Sequence, residues 1–200
     1  MNSGILIAIE GIDGAGKTTL AEAIAAHLRG LGKSVVTSKE PTNGAWGQKI
    51  RQSAATGRMS LKDELHAFIE DRKEHVHYVI EPALAAGKVV ILDRYFYSTI
   101  AYQGSRGGDV AAITELVFAN AIQPKLVILL DVPAEIGLAR VGIRGDRPNA
   151  FERVESLTAA RAVFQDLAER YPNVQLIDAR SNTATVQKAA IELISKTLGG

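Results

Sequence analysis

Five short apolar runs mark the chain, and stretches with apolar residues at helical spacing separate them. The runs cover Ile5–Ile9, Ser34–Ser38, Val89–Leu92, Leu126–Leu130 and, more weakly, Val174–Ile177. Continuous apolar runs of this length are typical of strands buried on both faces. Strands that alternate with helices favour a parallel sheet, and right-handed crossovers make that sheet doubly wound. The pattern therefore predicts an α/β fold with a five-stranded parallel sheet and helices on both faces.

A long helical pattern begins at Ser60. This serine can cap the helix N-terminus, with Asp63 three residues later as its capping-box partner. Pro82 is expected to kink or divide the helix, because proline disrupts the preceding helical turn. The four histidines, at positions 27, 66, 75 and 77, are expected to be solvated helix residues, since no further His or Cys cluster accompanies them.

The strongest chemical signal lies between the first strand and the first helix. Residues 11–18 read Gly-Ile-Asp-Gly-Ala-Gly-Lys-Thr and fit G-x-x-x-x-G-K-[ST], the phosphate-binding P-loop. Its glycines let backbone N–H groups turn toward phosphate oxygens, and the following helix N-terminus adds partial positive charge. Lys17 can reach the β- and γ-phosphates, and the Thr18 hydroxyl can bind Mg²⁺. The residues predicted to bind a nucleoside triphosphate are Gly11, Ile12, Asp13, Gly14, Ala15, Gly16, Lys17, Thr18 and Thr19.

Composition narrows the class of protein. A chain of 200 residues with 46% hydrophobic residues suits a single domain, here residues 1–200, with a small lid. The 23 basic and 22 acidic residues give a net charge of +1, which argues against nucleic-acid or electrostatic membrane binding. The absence of cysteine excludes disulfides, thiolate zinc sites and cysteine nucleophiles. Because the sequence shows neither a membrane span nor a signal peptide, we expect a cytoplasmic protein.

Polar residues follow the predicted strands, at the sheet edge where doubly wound folds bind ligands. They are Glu10–Lys17, Lys39–Pro41, Asp93–Tyr95 and Asp131. Asp93 can hold Mg²⁺ directly or through water, and Arg94 adds a permanent cation beside the phosphates. The alternative is that the Asp–Arg pair only caps the next helix.

With these motifs, the chain resembles the thymidylate kinases, which transfer the γ-phosphoryl group of ATP to dTMP. The most specific string is Asp-Arg-Tyr, Ser and Ala-Tyr-Gln-Gly within residues 93–104. The other matching segments are residues 10–19, 39–41, 50–51 and 130–135, together with Phe68, Arg72 and the arginine-rich segment that follows residue 139. The resemblance implies a P-loop NTPase fold, ATP with Mg²⁺ as co-substrate, and a homodimer.

The resemblance also implies roles around the acceptor phosphate and sugar. Asp13 should meet the sugar 3′-hydroxyl, and Arg51 and Arg94 should hold the phosphate. Tyr102 stands where the family packs against the sugar 2′ position. The full set of acceptor-binding residues implied is Asp13, Glu40, Pro41, Arg51, Phe68, Arg72, Arg94, Ser98, Thr99, Tyr102 and Gln103.

For the acceptor base, the resemblance implies that Phe68 stacks on thymine and that Arg72 bonds a base carbonyl. Ser98 and Thr99 lie where the family reads the N3 edge. Phe68 and Arg72 are four residues apart on the predicted helix, so both can face one ligand. The alternative is that Phe68 lies in the core and Arg72 forms a surface ion pair.

A loop-like segment at residues 142–150 is predicted to form the lid. Some thymidylate kinases carry an arginine in the P-loop directly after the aspartate, where this chain has Gly14. Here the candidate cations are Arg140, Arg144 and Arg147, as in the bacterial type of the family, and Arg144 is favoured because it lies among glycines. Arg140 is assigned to the ATP side. The implied catalytic residues are Lys17, Arg94, Arg144, Arg147 and Asp13.

Two alternatives stay open from the sequence. The family often has Glu-Pro-Gly-Gly-Thr where residues 40–46 read Glu-Pro-Thr-Asn-Gly-Ala-Trp. This difference allows a P-loop kinase with another acceptor, such as dUMP, a broader set of deoxynucleotides or a non-nucleotide. A GTP-dependent switch should carry N-K-x-D after a strand, and the sequence contains no such string.

Overall fold

A computed structural model describes residues 4–143 and 154–199. Its five strands pair in parallel in the order β2-β3-β1-β4-β5, which confirms the predicted α/β sheet. The strands are β1 (Ile5–Glu10), β2 (Val35–Lys39), β3 (Val89–Asp93), β4 (Leu126–Asp131) and β5 (Val174–Asp178). Each strand continues one residue beyond its predicted apolar run, because its last residue is polar yet still lies in the pairing register. The second strand also begins at Val35 rather than at Ser34.

Helices cover both faces of the sheet. They are α1 (Lys17–Gly30), α2 (Ala45–Thr56), α3 (Leu61–His75), α4 (Glu81–Ala85), α5 (Phe96–Gly104), α6 (Val110–Phe118), α7 (Ala134–Ile143), α8 (Val154–Arg170) and α9 (Thr183–Gly199). The central strands β1, β3 and β4 are buried nearly throughout, and apolar residues of α1, α5 and α8 pack in the same core. Within the described parts of the chain, no helix is both long enough and apolar enough to span a membrane.

The start of α3 agrees with the capping prediction. The Ser60 side chain accepts a hydrogen bond from the Asp63 backbone N–H, and its hydroxyl donates to the Asp63 carboxylate at 2.7 Å. The end of the helical stretch differs from the prediction, because the change in geometry precedes Pro82. A π-helical turn, Val76–Ile80, leads directly into α4, where Pro82 lies in the first turn and needs no hydrogen-bond donor.

The sheet order gathers three of the predicted polar strand ends. Strands β2, β3 and β1 are neighbours and run in parallel, so the residues that follow them meet at one edge. Asp131 does not join this group. Its carboxylate accepts two hydrogen bonds from Arg161 of α8, at 2.6 and 2.7 Å, and so ties that helix to the end of β4.

Candidate active site

The P-loop curls at glycines whose backbone geometry disfavours other residues. Gly11, Gly14 and Gly16 have φ values of 137°, 79° and 100°, in the left-handed region. A Cβ atom on Gly14 would overlap the carbonyl oxygen of Gly137 in α7, and backbone atoms cannot move aside cheaply. Glycine at position 14 is therefore required by both conformation and packing.

Lys17 folds back over the loop at the start of α1. Its Nζ donates to the Ile12 carbonyl oxygen at 2.7 Å and lies 4.0 Å from Asp13 Oδ1. The residue is only 6% exposed, and burial, together with the positive charge of Arg94, lowers the pKa of Lys17 to about 8. The loop thus presents its cation from a desolvated position.

Thr18 and Asp93 bring two side-chain oxygens together at the P-loop. The Thr18 hydroxyl donates to Asp93 Oδ2 at 2.5 Å, although the two residues are far apart in sequence. Mg²⁺ prefers oxygen ligands and is commonly bound by one or two carboxylates together with substrate phosphates. This donor set fits such an ion. Over residues 4–143 and 154–199, no group of three or more His, Cys, Asp or Glu side chains is arranged to hold a metal.

Arg94 links the P-loop to α5. It has a positive φ of 69°, its Nη2 forms an ion pair with Asp13, and its Nη1 donates to Ser98 Oγ at 3.2 Å. The guanidinium carbon lies 5.4 Å from the centre of the Tyr102 ring. Burial alone would lower the pKa of Arg94, but nearby acidic groups, Asp13 foremost, outweigh it and hold the pKa above its ordinary value.

Two cavities meet at the ion pair between Asp13 and Arg94. A phosphate-side cavity of about 320 Å³ is lined by the P-loop, by Asp93 and by Lys39. A second, acceptor-side cavity of about 250 Å³ adjoins it. The residues that line both cavities are Asp13, Glu40, Pro41, Arg51 and Arg94.

The acceptor-side cavity collects every acceptor-binding residue that the sequence suggests. Its lining also includes Ile50, Ala54 and Tyr95, which the sequence analysis did not assign to acceptor binding. These residues come from the ends of β2 and β3 and from α2, α3 and α5. Their shared location is a property of the fold, since they are dispersed along the sequence.

Arg72 of α3 lines the acceptor-side cavity. It is fully buried, and its Nε and Nη2 donate to Glu40 Oε2 at 3.1 and 2.6 Å. Nη2 also donates to Thr99 Oγ1 at 3.0 Å, whereas Nη1 has no hydrogen-bond partner among the described residues. The alternative of a surface ion pair is wrong, because Arg72 and its carboxylate partner are both buried.

His75 contradicts the expectation that the histidines are solvated. Its Nδ1 lies 3.0 Å from Glu40 Oε1, and its Nε2 lies 2.8 Å from Ser38 Oγ. The ring is buried because α3 packs over the end of β2. Glu40 thus has one oxygen facing Arg72 and the other facing His75.

Arg51 is held by the loop whose sequence departs from the family pattern. Both of its terminal nitrogens donate to the Thr42 carbonyl oxygen at 2.6 Å, and Nη2 donates to Asn43 Oδ1 at 2.7 Å. Asp71 fixes the same loop by accepting from the Thr42 backbone N–H at 2.8 Å and from its hydroxyl at 2.6 Å. The Thr-Asn sequence therefore supplies contacts that orient the arginine.

A groove of about 620 Å³ opens on the opposite side of the P-loop. It is lined by the P-loop and α1, by Arg140, by the loop that follows β5, residues 179–182, and by the first turns of α9. Arg140 Nη2 donates to the Ala179 carbonyl oxygen at 3.0 Å, so the arginine joins α7 to that loop. Because Arg140 is predicted to lie on the ATP side, we call this cavity the ATP-side groove. Arg144, Arg147 and most of the predicted lid lie outside the described residues.

Glu10, at the end of β1, caps α5 from a different element. Its Oε1 accepts from the backbone N–H groups of Tyr95 and Ser98 at 2.8 and 3.2 Å, and its Oε2 accepts from the Ser98 hydroxyl at 2.5 Å. Burial raises the pKa of Glu10 to about 7, although these bonds and the charge of Arg94 favour the ionised form. The carboxylate couples the P-loop strand to the helix that carries the acceptor residues.

Comparison with known proteins gives one family. The family model for thymidylate kinase matches residues 9–190. The chain belongs to the thymidylate kinase family. It is similar to the thymidylate kinase of Xylella fastidiosa strain M12, with 51% identity over 98% of this chain and 88% of the relative. It is also similar to those of Xanthomonas campestris pv. campestris strain B100 and Xanthomonas oryzae pv. oryzae strain PXO99A, at 51% and 50% identity over 98% of this chain and 85% of each relative.

Two features of this thymidylate kinase site were missed in the sequence. The loop after β5, which lines the ATP-side groove, follows the weakest of the apolar runs. The rule that ligands lie beyond strand ends, applied to that strand, could have found it. The internal partners of the acceptor residues, such as His75, carried no such signal, because burial of a polar helix residue depends on what packs against it.

Proposed function

We propose that this protein transfers the γ-phosphoryl group of ATP to dTMP, giving ADP and dTDP for dTTP synthesis. The observation that carries the proposal is the adjoining pair of cavities. The phosphate-side cavity contains the P-loop, and the acceptor-side cavity contains the residues implied to bind dTMP. Asp13 and Arg94 line both, which is the arrangement needed to bring a donor and an acceptor phosphate together.

The acceptor base is proposed to lie between Phe68 and the buried polar groups of α3 and α5. Arg72 Nη1 and Gln103 Nε2 are buried donors without a hydrogen-bond partner in the described chain, and both residues line the acceptor-side cavity. Buried donors are nearly always hydrogen-bonded in proteins, and thymine offers two carbonyl oxygens as acceptors. Ser98 and Thr99 complete the proposed base-binding surface. These groups favour a thymine ring over a base that presents amino groups.

The sugar is proposed to lie beside Asp13 and Tyr102. A carboxylate at the mouth of the P-loop can accept a hydrogen bond from the sugar 3′-hydroxyl. The Tyr102 ring is buried and lines the acceptor-side cavity, and we propose that it fills the space beside the 2′ carbon. We therefore expect a preference for deoxy acceptors that is relaxed in Tyr102→Ala.

The transfer itself needs positioning and charge neutralisation rather than a strong base. An oxygen of the acceptor phosphate attacks the γ-phosphorus, and the bond from that phosphorus to the bridging oxygen breaks, leaving its electron pair on ADP. Arg51 and Arg94 hold the acceptor phosphate, while Lys17 stabilises charge on the transferred group. Thr18 and Asp93 would hold Mg²⁺, which when bound neutralises charge on the donor phosphates.

The remaining assignments rest on the family resemblance. We propose a single domain with a lid at about residues 142–150, whose arginines supply a cation to the transferred group. Arg144 is the first candidate and Arg147 the second, and Arg140 serves the ATP side. The resemblance also supports a homodimer and a cytoplasmic location. Single-turnover kinetics on each Arg→Ala variant should reveal the catalytic arginine as the one that slows the chemical step while leaving substrate affinities within a few-fold.

The decisive experiment is a panel of nucleoside monophosphates, each incubated with ATP and Mg²⁺. ADP and nucleoside diphosphate are scored for every acceptor. The proposal expects dTMP to be the best acceptor, dUMP to be weaker, and purine nucleotides and ribonucleotides to be poor. Equal turnover across the panel, or transfer only to another acceptor, would contradict dTMP as the physiological substrate.

A further inference from the structure

The side-chain amide of Gln103 is oriented by an arginine outside the acceptor-side cavity. Gln103 is fully buried in α5, and its Oε1 accepts a hydrogen bond from Arg106 Nη1 at 3.1 Å. An arginine has five N–H donors and no acceptor, so only the oxygen of an amide can face it. The Gln103 NH₂ group is consequently turned the other way, and it has no hydrogen-bond partner in the described chain.

Arg106 is itself fixed by a carboxylate. Its Nη1 forms an ion pair with Glu64 of α3, whose side chain is fully buried, and its Nη2 donates to the Met59 carbonyl oxygen at 3.2 Å. Arg58 approaches the same carboxylate, with Nε 3.3 Å from each Glu64 oxygen. The guanidinium fork of Arg106 thus joins three acceptors on three parts of the chain, which leaves it little freedom to turn.

We propose that Arg106, held by Glu64, is a positioning residue that sets base selectivity by fixing the orientation of the Gln103 amide. The inference rests on the proposed function, because it assumes that the acceptor base reaches Gln103. With Arg106 present, the site offers a donor and selects a ring carbonyl. Without it, the amide can rotate by half a turn and offer its oxygen, which an exocyclic amino group satisfies equally well.

The chain supplies a matched control for this idea. Arg58 and Arg106 both bind Glu64, and their side chains are similarly exposed, at 16% and 21%. Arg106 contacts Gln103, and the contacts of Arg58 described above go to Glu64. Arg58→Met and Arg106→Met therefore each remove one cation from the same carboxylate and keep an aliphatic stem, and Arg106→Met also removes the hydrogen bond to the Gln103 amide.

The test compares dTMP with 5-methyl-dCMP, which keeps the methyl group and replaces one ring carbonyl by an amino group. Each is measured as substrate or, where turnover is slow, as inhibitor. Arg106→Met should raise KM for dTMP by about tenfold and narrow the preference for dTMP over 5-methyl-dCMP by about tenfold, with KM for ATP within twofold. Arg58→Met should leave the preference unchanged, whatever it does to the unfolding temperature.

A second pair of variants excludes a general loss of structure. In Gln103→Met, which has no amide to orient, adding Arg106→Met should not change the preference further. If Arg106→Met does not fold, Arg106→Lys keeps a positive charge beside Glu64 without the fork, and it should narrow the preference in the same direction. An unmodified protein that fails to phosphorylate dTMP refutes the proposed function. An active protein in which every Arg106 variant keeps the preference of the Arg58 variant overturns this inference alone.

Discussion

The ATP-side groove and the acceptor-side cavity both border the P-loop, but different parts of the chain build them. The groove is formed by glycine backbone, by the loop of residues 179–182 and by two arginines, Arg140, which bonds a backbone carbonyl, and the exposed Arg180. The acceptor-side cavity is formed largely by side chains that hydrogen-bond to other side chains of the protein, as Arg72 does to Glu40 and Thr99. A site built mainly from backbone atoms should tolerate side-chain substitutions. In a site built from side chains that hydrogen-bond to one another, each substitution also removes a partner of the neighbouring side chain.

Three buried acids orient residues of the acceptor-side cavity, directly or through an arginine. Glu40 holds Arg72, Glu10 holds Ser98, and Glu64 holds the arginine that bonds Gln103. Each of these acids lies on a different element from the residue that it orients. The acceptor-side cavity is therefore preorganised at the cost of burying charge, and the experiments below measure that cost on each side of the P-loop.

The largest expected effect is at the P-loop, where the two sites meet. Lys17→Ala should lower phosphoryl transfer by about 10³-fold or more, because it removes the positive charge that we propose to stabilise the transferred group. The unfolding temperature of Lys17→Ala should not fall, although its activity does. Burial lowers the pKa of Lys17 to about 8, so below that pH the folded protein carries this charge at a cost that the substitution removes. Steady-state kinetics and thermal unfolding at pH 7 measure both quantities.

Lys33→Ala, at an exposed position after α1, is the control for Lys17→Ala and should change neither quantity. Near-normal turnover in Lys17→Ala would refute the P-loop assignment. A large fall in its unfolding temperature would instead show that the lysine supports the fold.

Arg72→Ala tests the acceptor-side cavity. It leaves Glu40 buried without its cation, and breaking such a pair typically lowers the free energy of unfolding by about 3–5 kcal/mol. The KM for dTMP should rise more than the KM for ATP, since Arg72 lines only the acceptor-side cavity of the two that meet at the P-loop. Urea unfolding and two-substrate kinetics give both values.

The double variant Arg72→Ala with Glu40→Gln is the control, because it removes the stranded charge together with its partner. It should recover part of the stability but none of the affinity for dTMP. Equal rises in both KM values for Arg72→Ala would contradict a specific role at the acceptor base.

Ionisation of the buried Glu10 carboxyl group should make the free energy of unfolding depend on pH. Its pKa is raised to about 7 from an ordinary value of 4.5, so the folded protein holds this proton more tightly than the unfolded chain does. The Glu10 contribution to stability is therefore complete below pH 4.5 and is lost as the pH rises through 7. Glu10→Gln should remove this slope, which amounts to up to about 3 kcal/mol between those limits. Urea unfolding at a series of pH values measures it.

Glu115→Gln, at an exposed position on α6, should leave the pH profile of stability unchanged. If Glu10→Gln keeps the slope of the unmodified protein, the carboxylate is already ionised at pH 5. Its three hydrogen-bond donors would then outweigh the effect of burial.

The contrast also explains what the sequence could predict. The P-loop is a contiguous motif with its own strand and helix, and the alternating pattern predicts the parallel sheet with strand ends within one or two residues. The residues lining the acceptor-side cavity came from the family resemblance. Their internal partners required the structure, since His75 and Glu64 look like ordinary polar helix positions until α3 is packed against β2 and α5. Asp131 follows a strand, as a ligand-binding residue would, but it pairs with Arg161 of α8. The two residues are far apart in sequence, so no local pattern predicts their contact.

The smallest expected effect is at the exposed loop of the ATP-side groove. Arg180 lines this groove, but its side chain is 64% exposed and pairs with Asp178, which is itself exposed. Exposed ion pairs contribute little, because water competes for both partners. Arg180→Ala should therefore raise KM for ATP by no more than a few-fold, with no change in KM for dTMP or in unfolding temperature. Arg170→Ala is the matched control, because Arg170 is 61% exposed, also pairs with an aspartate and does not line the groove. A rise of more than tenfold in KM for ATP for Arg180→Ala alone would mean that the groove depends on side chains as the acceptor-side cavity does, and the contrast between the two sites would fail.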